Sequence, residues 1–206
     1  PLVRIGAEVG FIRCGIHSDD RDVLVELAIM PGKANKARVN RSPVPKVRDV
    51  LGLLRTVLFA PEDLALVKGD PSDRRTFLDE LLVLRAPRFA GVRSDYDRVL
   101  KQRNALLKSA SIARRSSEDA MLRTLEVWDE QLIEHGAMLL AARVELLAEI
   151  VDYARSEYGT VSGDHRGLLD LVYQSSLGSD VDVSLDLDGW AGALREAIGA
   201  RRKDEL

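Results

Sequence analysis

The chain has 206 residues, of which 46% are hydrophobic, enough to bury a core of its own in one large domain or two small ones, and this excludes disorder for most of its length. A net charge of −3 and a pI near 5.7 exclude a uniformly basic nucleic-acid coat protein. One cysteine, Cys14, cannot form an internal disulfide; no charged segment followed by an apolar one opens the chain, and no apolar run approaches the roughly 20 residues of a membrane span, so a reducing, cytoplasmic setting away from membranes is expected.

Val9 to Ile16 and Val23 to Ile29 are alternating, β-branched runs separated by polar residues 18–22, the pattern of a hairpin. Pro31-Gly32-Lys33 predicts another turn, and Ala37 to Asn40 a third short antiparallel strand. A short helix over Pro45 to Leu54 and a buried strand over Thr56 to Ala60 should follow. Beyond Gly69, Asp70 or Ser72 suits an N-cap with Pro71 in the first turn, and Phe77, Leu78, Leu81 and Leu82 recur at helical spacing. Pro87 interrupts that helix, because proline lacks the required N–H and restricts the residue before it.

Two long helices are predicted next. The first, Arg88 to Ser109, places Val92, Tyr96, Val99, Arg103 and Leu106 at alternating spacings of four and three; the second, Ser117 to Tyr158, does the same with Leu125, Trp128, Leu132, His135, Leu139, Ala142 and Leu146. Such a seam on consecutive helices predicts an antiparallel hairpin turning over Ser109 to Ser117, and a helix of about 60 Å suits a projecting arm. Gly159 and Gly163 should end the second helix. Leu168 to Leu177 reads as a strand, Asp180 to Asp188 as an acidic loop with room for a short strand, and Asp188 or Gly189 to Leu206 as a final helix. The fold class is therefore α+β, a small and mostly antiparallel sheet followed by a helical-hairpin arm, divided as residues 1–86, 87–160 and 161–206. Pro1 in place of Met, and a helical pattern still running at Leu206, read as an excised interior piece of a longer protein.

A glycine-rich phosphate loop needs backbone N–H groups around the phosphates and a lysine to neutralise them. Gly10 to Gly15 has the glycine interval, but Ile16-His17 stands where Lys-Ser/Thr would act, and the alternation around it predicts a strand. No dinucleotide fingerprint or Walker B strand occurs either, so the chain alone should not hydrolyse ATP. His17, His135 and His165 are far apart and form no zinc pattern. Pro61-Glu62-Asp63 follows the expected buried strand, where a loop can face a Mg-nucleotide; the plainer alternative is that the two acids cap a short turn, and bare spacing favours it. Arg74 and Arg75 oppose the dipole at a helix start, which implies a partner such as Asp70, Asp73, Asp79 or an external phosphate. Lys33, Lys36, Arg38, Arg41, Lys46 and Arg48 occur without an intervening acid, so DNA phosphate contact stands level with a solvated surface. Aromatics are 5% of the chain and not interleaved with these cations, which disfavours single-strand stacking and prefers duplex backbone. For Arg98, Lys101 and Lys108 a solvated helix face is the default.

Three blocks, Arg38 to Val44, Val57 to Leu82 and Tyr96 to Lys108, resemble in wording and order the RecF family, ABC- and SMC-like ATPases of bacterial recombinational DNA repair, in an actinobacterial-like form. The resemblance implies that Pro61, Glu62 and Asp63 lie where related ATPases sense the γ-phosphate, with Arg74 and Arg75 beside them; the glutamine of that loop is absent here, and Thr76 replaces a third basic residue. It further implies a longer protein that binds ATP with Mg and duplex DNA, dimerises on ATP, has weak ATPase activity, and works with RecR and RecO to load RecA at single-strand gaps. The cut-out piece itself is expected to hold no cofactor, and its exposed apolar surface allows a homodimer. The rival reading is a fragment of another SMC- or Rad50-like ATPase, or a helical scaffold that binds no DNA; a turn near Ser111 favours the short-armed family.

Overall fold

The computed structural model describes residues 2–18, 21–56, 58, 60–110, 118–163, 169–178 and 181–205. They form two compact units, Pro1–Leu64 with Val83–Pro87, and Ala65–Leu82 with Arg88–Leu206. The fold is α+β, as expected.

In the first unit the β-branched runs form an antiparallel sheet of strands β1 (Gly10–Ser18), β2 (Arg21–Ile29), β3 (Lys36–Val39) and β4 (Ser42–Pro43), in that order. Phe11 pairs with Ala28 and Ala28 with Lys36; Arg13 pairs with Glu26 and Glu26 with Arg38. Because side chains alternate across a strand, this register puts Ile12, Cys14, Val25, Leu27, Ala37 and Val39 on one face and the charged set on the other. Ala37 is the buried centre of the apolar face.

Turn chemistry sets the connections. At Met30-Pro31-Gly32-Lys33, glycine takes φ 74° and the Lys33 N–H donates to the Met30 carbonyl at 3.1 Å. Between β3 and β4, Asn40 and Arg41 both have positive φ, 49° and 69°, the mirror-image turn that matches strand twist. Asn40 extends the ladder: its Oδ1 accepts from the Leu24 N–H at 2.8 Å while its own N–H donates to the Leu24 carbonyl.

Two expectations in this unit change. The helix over Pro45 to Leu54 contracts to a 3₁₀ turn, Val47–Val50, which Leu51 ends in an extended conformation and Gly52 follows at φ 83°. The buried strand over Thr56 to Ala60 does not form among the described residues; Val57 and Phe59 lie outside them, no ladder joins the rest, and Leu58 is 85% exposed. Apolar composition alone does not make a strand where no neighbouring edge satisfies its backbone.

The second unit is helical. A single-turn helix α1 (Ala65–Lys68) precedes α2 (Pro71–Arg85), followed by α3 (Phe89–Ala110), α4 (Glu118–Ser162) and α5 (Leu187–Glu205). Asp70 is the N-cap of α2 with Pro71 first in the helix, and Asp73 Oδ2 accepts from the Asp70 N–H at 3.0 Å, closing half of a capping box. Helices α3 and α4 are antiparallel, since Arg103 meets Asp129 while Tyr96 lies beside Gly136. The expected seam is the packed face: Val99, Leu125, Leu132, Leu139, Ala142 and Leu146 are buried, and Arg103 with them. At 45 residues α4 is about 68 Å long.

The turn over 111–117 and His165 lie outside the described residues. Gly159 is inside α4, and Gly163, at φ 64°, is the residue that ends it. The strand expected over Leu168 to Leu177 is absent from its described part: residues 169–178 alternate in exposure but pair with no strand, and Tyr173 packs against the cluster of Leu78, Leu82, Ala142 and Leu146. Helix α5 packs along α4 through buried Trp190 and ion pairs from Arg195 and Arg202, a contact not foreseen from sequence. At Gly136 both α3 and α5 come close to α4, for a Cβ there would sit 3.2 Å from Leu194 and 3.5 Å from Tyr96. No helix among the described residues is long and apolar enough to cross a membrane.

Candidate functional site

The charged sheet face carries a groove of about 730 Å³ whose lining includes Lys33 from the β2–β3 turn and Lys36 and Arg38 from β3. Strand pairing adds two residues that sequence reasoning left out, Phe11 and Arg13 of β1. Arg13 Nε donates to Glu26 Oε1 at 2.9 Å and its guanidinium lies 5.9 Å from the Phe11 ring centre. The hairpin register was the signal for them: once β1 and β2 pair about residues 18 and 21, odd β1 positions share a face with even β2 positions. Arg41 at the β3–β4 turn, and Lys46 and Arg48 around the 3₁₀ turn, do not line the groove. None of the six cations named from sequence forms an ion pair among the described residues.

Pro61–Leu64 is a 3₁₀ turn in the first unit. Asp63 Oδ2 accepts from the Ala60 N–H at 2.6 Å, so its carboxylate caps the turn, while the Glu62 residue is exposed. Among the described residues no three His, Cys, Asp or Glu side chains gather as metal ligands. The Asp63 carboxylate is thus engaged as a cap, and the Glu62 side chain is the other carboxylate of the turn.

Arg74 and Arg75 belong to the second unit. The Arg74 guanidinium donates to the Gly69 carbonyl at 3.1 Å and the Leu66 carbonyl at 3.4 Å, the open C-terminal end of α1, where a cation is favoured. Gly69 permits this closure, for a Cβ there would sit 2.5 Å from the Ala65 carbonyl oxygen. Arg75 remains exposed at the start of α2, with Tyr96 within its electrostatic reach.

Four residues beyond Arg75, Asp79 is buried and gripped by Arg143 of α4, whose Nε and Nη2 donate at 2.7 and 2.9 Å; Arg93 of α3 stands 3.8 Å away. Burial acts to lower the Arg143 pKa, but the hydrogen bonds and charge of Asp79 outweigh it and the net shift is upward. Burial raises the Tyr96 hydroxyl above its ordinary value, with Arg143 opposing. A second buried pair lies toward the other end of the arm, where Arg103 donates to Asp129 at 2.6 Å and to Glu205 at 2.6 Å, and Arg202 to Asp129 at 2.5 Å. These pairs tie α2, α3 and α5 to α4.

No protein-family model matches the chain. Curated proteins named DNA replication and repair protein RecF match it over its whole length: 55% identical in Kineococcus radiotolerans, 51% in Streptomyces avermitilis and 51% in Frankia alni. The chain spans 54–55% of the length of these relatives. Two solved structures of the recombination mediator protein RecF in the RecFOR pathway, RecF-ATP and RecF-ATPrS, superpose with TM-scores of 0.79 and 0.80, covering 99% of this chain and 53% and 54% of theirs, at 24% and 23% identity. That likeness carries the fold, and the sequence identity carries the kinship: over its whole length the chain is similar to proteins of the RecF family, of which it spans about half.

Proposed function

We propose that the chain is the head-and-arm part of a recombination mediator that binds duplex DNA in an ATP-dependent way and, with RecR, helps load RecA at single-strand gaps. One observation carries the DNA reading: Lys33, Lys36 and Arg38 converge on one groove and Arg41, Lys46 and Arg48 flank it in sequence, all without an ion-pair partner among the described residues. Cations gathered and left unneutralised are suited to phosphate, whose counterions they displace. Arg41 is compatible with it, since its left-handed conformation at the β3–β4 turn costs more than glycine or asparagine would there and still places a cation at that turn.

Pro61, Glu62, Asp63, Arg74 and Arg75 form, in this reading, the segment that relays nucleotide state. Asp63 shapes the turn, Arg74 fastens α1 to α2, and the exposed Glu62 and Arg75 are the groups free to meet Mg-ATP or its phosphates in the longer protein. Without a Gly-Lys-Ser/Thr loop, this chain by itself neither hydrolyses ATP nor holds a cofactor. A cytoplasmic setting and a homodimer accord with the family.

Filter binding of duplex DNA across a salt series tests the DNA reading: the slope of log affinity against log salt should contain about −0.9 per phosphate contact and flatten by about that amount for each of Lys36→Gln and Arg38→Gln. Affinity indifferent to salt and to both substitutions overturns it.

A further inference from the structure

Helices α4 and α5 run antiparallel, and the ion pair between Glu130 and Arg195, at 2.8 Å, fixes their alignment. One turn toward the C-terminus of α4 and the N-terminus of α5 brings Glu134 opposite Ala191, and one turn more brings Met138 opposite Leu187, because residues four apart share a helix face. These residues line a groove of about 330 Å³ whose floor is Ile133 and Ala137, both buried. Its three rungs differ in chemistry. Glu130 and Arg195 neutralise each other and close one end. Ala191 offers only a methyl group to Glu134, so the middle stays open. Met138 and Leu187 form an apolar end, and Leu187 is 46% exposed there.

Glu134 has no role within the chain. It sits in the middle of α4, where the macrodipole favours no charge, and forms no ion pair among the described residues. Asp188, also on the groove, is accounted for by the first turn of α5, where a carboxylate is favoured. We infer that this groove seats a basic amphipathic helix of a partner protein, with an aliphatic side chain entering between Met138 and Leu187 and a lysine or arginine one turn away meeting Glu134 over Ala191. The lining carries three carboxylates, Glu130, Glu134 and Asp188, against the single cation Arg195, so its charge selects a cationic occupant. A helix laid along the groove repeats the same four-residue step, so one ridge of it meets the apolar and the acidic rung together. The unbranched thioether of Met138 adapts to such a side chain. The surface belongs to the helical unit alone and does not rest on the DNA reading.

Fluorescence anisotropy with a labelled, alanine-based helical peptide tests this in two forms, one with leucines and lysines four apart, the other with the same leucines and glutamates in place of the lysines. The intact chain should bind the lysine form and not the glutamate form. Glu134→Lys should weaken binding of the lysine form by at least about tenfold and gain the glutamate form, a charge exchange that misfolding cannot imitate. Ala191→Leu, which fills the open rung, should abolish binding of the lysine form while circular dichroism and thermal unfolding stay as in the parent. Binding of the lysine form that survives both substitutions lies elsewhere and overturns the inference, as does equal binding of the two forms or of neither. Self-association of the chain, seen by light scattering and lost in Ala191→Leu, assigns the groove to a second copy and overturns it too.

Discussion

At the scale of single residues, the sharpest feature is a carboxylate at a place where burial makes a charge expensive. Asp79 is 6% exposed, and Arg143 meets both of its carboxylate oxygens in a bidentate pair. Asp79→Ala strands the Arg143 guanidinium in the helix interface and should cost about 3–5 kcal/mol in urea unfolding, whereas Asp79→Leu with Arg143→Leu should recover most of that loss. Arg41 makes an opposite prediction. At φ 69° it sits where glycine is unstrained, so Arg41→Gly should stabilise the chain by about 1 kcal/mol while weakening duplex affinity, a split visible when unfolding and filter binding are measured together. The spacing of Asp79 on α2 was plain in the sequence as one of several partners for Arg74 and Arg75; that Arg143, 64 positions later, takes it was not. Arg74 instead finds carbonyl groups at the end of α1, a helix of one turn that propensity does not announce.

At the scale of elements, α4 is the post to which the other helices attach. Trp190 of α5 is fully buried against it, with its indole N–H unpartnered among the described residues. Trp190→Phe should therefore cost less than the usual large-to-small penalty, because it also removes an unsatisfied donor, while Trp190→Ala should lose about 3–5 kcal/mol in chemical denaturation. On the solvent side, Arg195 holds the Glu130 carboxylate below its ordinary pKa by a hydrogen bond. A lowered carboxylate contributes stability that is complete above the ordinary carboxylate range and is lost as pH falls through the lowered value; Glu130→Gln should remove that part of the acid dependence of melting. The α3–α4 seam was legible because a spacing of four and three repeats over many turns. Strands were legible only where a partner lay nearby in sequence: β1, β2 and β3 pair with neighbours, whereas the alternating residues at 169–178 find no edge and stay irregular.

At the scale of the whole molecule, the two units carry different features, the sheet unit the cationic groove and Pro61–Leu64, the helical unit α1, most of α2 and the long helices. On the proposed reading, titration calorimetry of this chain with Mg-ATP should give no saturable heat, because its sequence lacks a Gly-Lys-Ser/Thr loop to cradle the phosphates; stoichiometric binding would overturn that reading. Kinship, fold class, the helical hairpin and the run of six cations were all determined by the sequence alone, since each depends on residue identity or on spacing within a short stretch. Only the tertiary structure decided which cations share a groove, that Phe11 and Arg13 join them, that Asp63 caps its own turn, and that α5 returns along α4. Those contacts depend on strand register and on side chains dozens of positions apart, and linear spacing carries no measure of either.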